Sequence, residues 1–292
     1  MNTIPGDSPH RIQMLAKTSG TTGLLLRALP NEYDTTFSNI HFTVMLNQYL
    51  SSLQPEHVGL QSFDTVCSCS DIANPANAKK CDVIHMHNCQ REQKFSSRHK
   101  CLQHVFKHAV QSIGVEPELE RQLAPKLNPN NPGARTLSKR ADVSIPAIPG
   151  YSKLMHTDIT VASHTAQQQF STAIKRPLVN AESAYKAKLA KYAGHYDPNT
   201  EGFMPLVFES SGAIHTTTIK TIGLLARIVD NKPPLEATWA TPTFISYWLT
   251  KMSCTLWRET AAGLLLLAAA ANRQTPGGVV VRAPPQLAFF RW

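Results

Sequence analysis

The segment from Ala141 to Ala162 constrains the fold more than any other part of the chain. Ala141-Asp142-Val143-Ser144-Ile145 and the run Leu154 to Ala162 both alternate and are rich in β-branched residues, with the turn formers Pro146, Pro149 and Gly150 between them. That pattern predicts two antiparallel strands. Successive side chains on a strand face opposite ways, so Asp142 shares a face with Ser144, and Asp158 with His156 and Thr160. Pairing of the two strands lets the carboxylates of Asp142 and Asp158 meet.

The clearest helix follows Ser97, with Leu102, Val105, Phe106, Ala109, Val110 and Ile113 at helical spacing and a stop at Gly114. Its other face carries Arg98, His99, Lys100, His104, Lys107 and His108. Such a cationic stripe suits phosphates, but most stripes of this kind are ordinary solvated faces. After a Pro- and Asn-rich loop, Pro125 to Gly133, and the strand pair, Ala181 to Tyr192 reads as a helix. Met204 to Glu209 then reads as a strand ending at Gly212, and Ile219, Ile222, Leu225, Ala226 and Val229 as an amphipathic helix closed by Pro233-Pro234. This order predicts an α/β domain with a mixed sheet flanked by helices. Around it the sequence divides into a helical lead-in at 1–66, with Phe42, Val44, Met45, Leu46, Tyr49 and Leu50 in helical pattern, and a turn-rich Cys/His stretch at 67–95 that cannot build its own core. The α/β domain then occupies 96–232. In the remainder, 233–292, Phe244, Trp248, Met252 and Leu256 predict a helix or helical pair, and nothing after Thr275 has a pattern.

With 292 residues, 42% of them hydrophobic, the chain can fill such a core. Its 29 Lys and Arg against 20 Asp and Glu give a formal charge of +9, before 12 His, which favours a polyanionic partner slightly over a merely basic surface. The first twenty residues contain Asp7, Arg11 and Lys17 and no apolar stretch typical of a secretory signal. The apolar run Ala261 to Ala271 is shorter than the roughly 20 residues of a membrane span. The expectation is an intracellular protein with no membrane contact and six reduced Cys, serving as core residues or metal ligands.

Two constellations point to chemistry. Hydrolysis of a phosphodiester by a divalent metal needs oxygen ligands and a nearby cation, and Asp142, Asp158 and the Lys-rich helix with Lys186, Lys188 and Lys191 supply those types. Spacing alone does not distinguish them from the many such triples that do nothing. The second is Cys67-x-Cys69 followed by His85-x-x-x-Cys89, the usual ligand types of a structural zinc, in a segment that gains most from a metal staple. Reduced, unligated cysteines are the competing reading, and Cys81 and His87 are alternative ligands.

Several short words occur in one order: Arg98-His99, Glu116, Arg140-Ala141-Asp142-Val143, Asp158-Ile159-Thr160-Val161, Lys188-Leu189-Ala190-Lys191-Tyr192 and Phe203 to Glu209. This order resembles the restriction-enzyme-like (PD-(D/E)XK) endonuclease found downstream of reverse transcriptase in site-specific non-LTR retrotransposons and related proteins, over about Leu24 to Asn272. The resemblance implies a restriction-endonuclease-like core in which Asp142 and Asp158 bind Mg²⁺ or Mn²⁺. Thr160 replaces the lysine expected two residues after the second carboxylate, and the family's Lys-x-x-Lys-Tyr word transfers that role to Lys188, with Lys191 second. Glu116 or Glu118 is a candidate to complete the metal shell, and Arg140, Tyr192 and Glu209 to support it. The family's Cys-x-Cys and His-x-x-x-Cys words match Cys67, Cys69, His85 and Cys89 as a zinc knuckle, although Ser70 stands where Gly is common and Cys81 lies in a long gap.

The function implied is DNA nicking for target-primed reverse transcription. DNA is the partner, gripped by Arg98, His99, Lys100, Lys107 and Arg140; the element's own RNA remains open as a second, and the nucleus is the expected location. No Tyr/Phe-x-Asp-Asp polymerase word occurs in the chain. The alternatives are a catalytically inactive, nucleic-acid-binding remnant of such an element, and an unrelated interaction protein in which Asp142 and Asp158 do not meet and no zinc is bound.

Overall fold

The helices and the central strands follow the hydrophobic periodicities, with one predicted strand split and four short strands unforeseen. The structure, a computed structural model, describes residues 21–28, 35–50, 52–67, 69, 78–89, 96–125, 127–128, 131–135, 138–165, 170–173 and 175–274. Ser70 and the unpatterned ends 1–20 and 275–292 lie outside the described residues.

In chain order the elements are a 3₁₀ turn Leu24–Arg27, α1 Asn39–Tyr49, a 3₁₀ turn Pro55–Val58, α2 Val83–Asn88, α3 Ser96–Gln111, β1 Glu118–Gln122, β2 Leu127–Asn128, β3 Asn131–Arg135, β4 Arg140–Ile145, β5 Leu154–Thr157 and β6 Ile159–Ala162. There follow α4 Phe170–Ala173, α5 Val179–Tyr192, β7 Glu201–Phe203, β8 Leu206–Glu209, α6 Thr216–Ile228 and α7 Phe244–Gln274. The main sheet has the order β1-β4-β5-β7 and is mixed, with β1-β4 and β4-β5 antiparallel and β5-β7 parallel. It is flanked by helices. Leu102, Val105, Phe106, Ala109 and Val110 of α3 enter one apolar core with Val143, Ile145, Met155, Ile159, Leu206 and Phe208 of the strands and with residues of α6 and α7. Burying a dozen such side chains, at roughly 1.5–3 kcal/mol each, is the main drive for this arrangement.

The predicted strand Leu154 to Ala162 divides at Asp158. β4 and β5 pair in the register Val143↔Thr157, so the next opposed residues are Asp142 and Asp158. There the strands separate, and the side chain of Asp142 replaces a backbone carbonyl: its Oδ2 accepts the Ile159 N–H at 2.6 Å. β6 continues in parallel with β8 instead. The pairs Leu154↔Glu201 and Ile159↔Leu206 belong to one register, bridged by Met204 N–H donating to the His156 carbonyl (2.9 Å) and Leu206 N–H to that of Asp158 (3.0 Å). The strand predicted at Met204 to Glu209 is observed as β8, beginning at Leu206; Pro205, between those donors, removes no bond from this ladder, because alternate residues donate to each side.

Four strands were not foreseen: β7, the largely charged β1 (Glu-Leu-Glu-Arg-Gln), and β2 and β3, which fall largely on the segment 125–133 read as a loop. The C-terminal region holds one helix of 31 residues, the single-helix alternative of the expected helix or helical pair. Its first half (Phe244, Trp248, Met252, Leu256) belongs to the sheet core; Cys254 and Trp257 pack with Leu25 and Met45; and Ala261, Leu264, Leu267, Ala268 and Ala271 pack with Val44, Leu53, Val58, Leu60, Cys67, Cys81, Met86 and Cys89. Length and composition would let α7 cross a membrane, yet 83% of its most apolar window is buried inside the protein.

Candidate functional site

The carboxylates of Asp142 and Asp158 lie where β5 gives way to β6, nearly buried at 8% and 4% exposure. Each oxygen has a partner. Asp142 Oδ2 holds the Ile159 N–H, and Oδ1 lies 3.4 Å from His99 Nε2. His99 and Gln103 are one turn apart on α3, so both reach β4. Gln103 Nε2 donates to the Asp142 carbonyl at 2.8 Å and to Glu120 Oε1 at 3.0 Å. Asp158 Oδ2 lies 2.5 Å from Lys188 Nζ and accepts from Thr160 Oγ1 at 3.2 Å, while Oδ1 receives the Tyr192 hydroxyl. That hydroxyl is also 2.8 Å from the Arg140 carbonyl. It has one proton to give, and the carboxylate is the stronger acceptor.

The electrostatics follow. The hydrogen bond to Asp142 holds the His99 imidazole above its ordinary pKa against the effect of burial. Burial, then Asp158, pushes the Tyr192 phenol well above its usual range, so it remains a donor. Burial and the neighbouring Lys188 hold Lys191 below the usual lysine value. Lys191 touches neither carboxylate; its ammonium stands 4.9 Å from the Tyr192 ring centroid. The structure therefore brings Lys188, the first choice of the two lysines, onto Asp158.

The acidic residue that flanks the site is Glu120, which the sequence reading missed. Glu116 is held by Gln111 (2.9 Å) and Glu118 by Arg121 (2.9 Å). In the β1-β4 register, Glu120 falls opposite Asp142, where the ladder skips a pair because Glu120 has φ 54°. A left-handed conformation at a non-glycine residue costs about 1 kcal/mol or more and gathers at functional positions. Position in a charged strand gave no clue to it.

Of the residues expected to grip nucleic acid, Arg140 and Lys100 are exposed and Lys107 and His99 half-buried. Arg98 is not on this surface. It is buried at 6% exposure, its Nη1 3.3 Å from Thr260 Oγ1 on α7, and desolvation lowers its pKa to about 9 despite Glu259. The helical periodicity that places Leu102 and Val105 inward carries Arg98 inward as well.

The second constellation converges. One donor atom from each of Cys67, Cys69, His85 and Cys89 lies within 4.8 Å of the others, the only such group of three or more His, Cys, Asp or Glu found among the described residues. Cys67 and Cys89 sulfurs are 3.7 Å apart, and Cys69 Sγ is 3.2 Å from His85 Nε2. The frame is local: Cys67 N–H donates to the Lys79 carbonyl and Cys81 N–H to that of Thr65, closing the 65–67 and 79–81 segments on each other. Asp82 caps α2 by accepting from the His85 N–H at 2.8 Å, and the i,i+4 spacing puts His85 and Cys89 on one side. A hydrogen bond from Cys81 is the largest influence drawing Cys67 down, to about 3, with smaller ones from His85 and Cys69; burial and the charge on Cys67 push Cys69 up to about 12, and Cys81 also rises. One thiolate thus opposes the next, and a soft divalent cation removes that conflict. Three thiols and an imidazole fit a tetrahedral zinc. His87 does not belong to the set: it faces Gln48 (Nε2 to Nε2, 3.0 Å) and packs edge-on to His164, while neighbouring Asn88 bonds Thr165 Oγ1 at 3.1 Å. The Cys/His module is in this way seated on the loop that follows β6.

No protein-family model matches this chain, and no curated protein matches it either.

Proposed function

We propose that the chain is a metal-dependent endonuclease that nicks DNA, with a restriction-endonuclease-like core derived from a non-LTR retrotransposon polyprotein. The observation that supports this best is the opposition of Asp142 and Asp158 at a strand junction with Lys188 on the second carboxylate. Each carboxylate oxygen has two lone pairs and one protein partner or two, so acceptor capacity remains for a hard cation. Mg²⁺ typically takes one or two carboxylates and fills its other positions with water and phosphate. When bound, Mg²⁺ or Mn²⁺ would offset charge on the phosphate and lower the pKa of a coordinated water. Lys188 supplies a cation beside that site, His99 a second at its rim, and exposed Lys100 and Arg140 attract the DNA backbone. The Cys/His module, carrying zinc, braces the loop after β6.

One observation favours a non-catalytic, nucleic-acid-binding protein: Lys188 and His99 already engage the two carboxylates from within the chain. Divalent-metal binding separates the two readings. The test is nicking of supercoiled plasmid by purified protein with Mg²⁺ or Mn²⁺, alongside Asp142→Ala and Asp158→Ala proteins. Nicking by the wild type alone is the expected result. Equal behaviour of all three, together with no Mn²⁺ binding by titration, would replace the nuclease with the binding protein.

A further inference from the structure

We propose that Glu209 is a positioning residue: from the end of β8 it fixes the start of α5 and so sets where Lys188 meets Asp158. The purpose of that placement rests on the nuclease reading; the placement itself does not.

α5 begins without a cap of its own. Leu178, the residue before it, has φ 62° and offers no side-chain acceptor. The first N–H groups of a helix have no partners within it and need acceptors from outside. Glu209, 2% exposed, provides them: Oε1 accepts the Ala181 N–H at 3.1 Å, the Asn180 N–H also bonds this carboxylate, and Ser211 Oγ lies 3.4 Å from Oε2. Burial drives the Glu209 carboxyl upward in pKa, and those N–H groups oppose the rise. The positive end of the helix dipole is where a buried carboxylate is best tolerated.

The two ends of α5 are held by the same pair of strands. Glu209 stands opposite Ala162 at the far end of the β6-β8 ladder, and Asp158 at its near end receives Lys188 and Tyr192. Four strand residues from Asp158 to Ala162 span about 13 Å at 3.3 Å each. Along the helix, Ala181 to Lys188 is about 10.5 Å and Ala181 to Tyr192 about 16.5 Å, on one face because seven residues make about two turns. The lengths match, so a shift at the Glu209 end is transmitted along a rigid helix to Lys188.

The experiment compares Glu209→Ala, Glu209→Asp and Glu209→Gln by two readouts. The first is acetylation of Lys188 by acetic anhydride, followed by peptide mass spectrometry, with exposed Lys186 as the internal reference. The second is the nicking rate. Glu209→Gln retains an acceptor of the same length and is expected to keep Lys188 as protected as in the wild type. Glu209→Asp retains the charge but falls short of the helix, and with Glu209→Ala it is expected to raise Lys188 labelling several-fold relative to Lys186 and to slow nicking about 10- to 100-fold, the usual consequence of misplacing a reacting group by about an ångström. Unchanged Lys188 labelling in a folded Glu209→Asp or Glu209→Ala protein overturns the proposal. Raised labelling in a protein whose wild type binds no Mn²⁺ and does not nick supports the positioning role and rejects the nuclease reading alone.

Discussion

Cys67, Cys69, His85 and Cys89 turn their donor atoms toward a common centre, whereas the oxygens of Asp142 and Asp158 are turned onto partners from the chain itself. The difference lies in what each group can do alone. Thiols gathered in a turn-rich segment oppose one another's ionisation, so their free energy is lowered by a guest. Two carboxylates in a sheet are stabilised by a lysine, a phenol and a backbone N–H, and a guest cation has to compete with that network. The first site therefore reads as a structural requirement and the second as a poised one.

Removing metal from the Cys/His site should have the largest effect. Cys89→Ser, or strong chelation of the wild-type protein, should abolish zinc binding by metal analysis and lower the calorimetric unfolding midpoint by roughly 10 °C, since about 2–4 °C accompanies each kcal/mol in a domain of this size or somewhat smaller. A zinc-free protein of unchanged midpoint would erase the contrast between the sites. Next comes Asp158→Ala, which leaves Lys188 without its carboxylate and the Tyr192 hydroxyl with only the Arg140 carbonyl, and should cost about 3 kcal/mol in denaturant titration. Lys188→Met should cost less, because Tyr192 and Thr160 still serve Asp158. A double-mutant cycle of these two substitutions should give a coupling of about 1 kcal/mol or more; additivity would mean that the pair is not a network. Tyr192→Phe should cost about 1 kcal/mol, read in the same titration.

The smallest effect concerns pH. Because the folded pKa of His99 is raised by Asp142, the pair stabilises the protein fully below the unfolded value of about 6.5, and that contribution fades as pH rises through the raised folded value. With the His99 side chain 38% exposed, the contribution should stay under about 1 kcal/mol. Stability of wild type and His99→Gln compared between pH 5 and 9 should converge at the alkaline end; a gap that widens with pH would show that the imidazole acts in its neutral form.

Much of this was legible in the sequence. Alternation fixed the faces of β4 and β5 and brought the two aspartates opposite each other, and Cys and His spacing delivered the four converging donors. What escaped depended on tertiary context. The division at Asp158 arises from a side chain taking over a backbone bond, Glu120 became a neighbour of Asp142 through a left-handed backbone in a charged edge strand, and Arg98 was drawn inward by the helix that carries it. Glu209 looked like the end of a strand, and only the meeting of β8 with α5 reveals its acceptors in use.

The path of α7 through three of the apolar clusters has a consequence for biosynthesis. Val44 packs with Leu264, and Cys67 and Cys89 with the same helix, yet roughly 220 residues separate Val44 from that partner. At about 5–20 residues per second, the early part of a nascent chain waits roughly 10–45 s before the helix that covers it leaves the ribosome. During that interval its apolar faces are open to chaperones and to neighbouring chains, and contacts so distant in sequence close slowly.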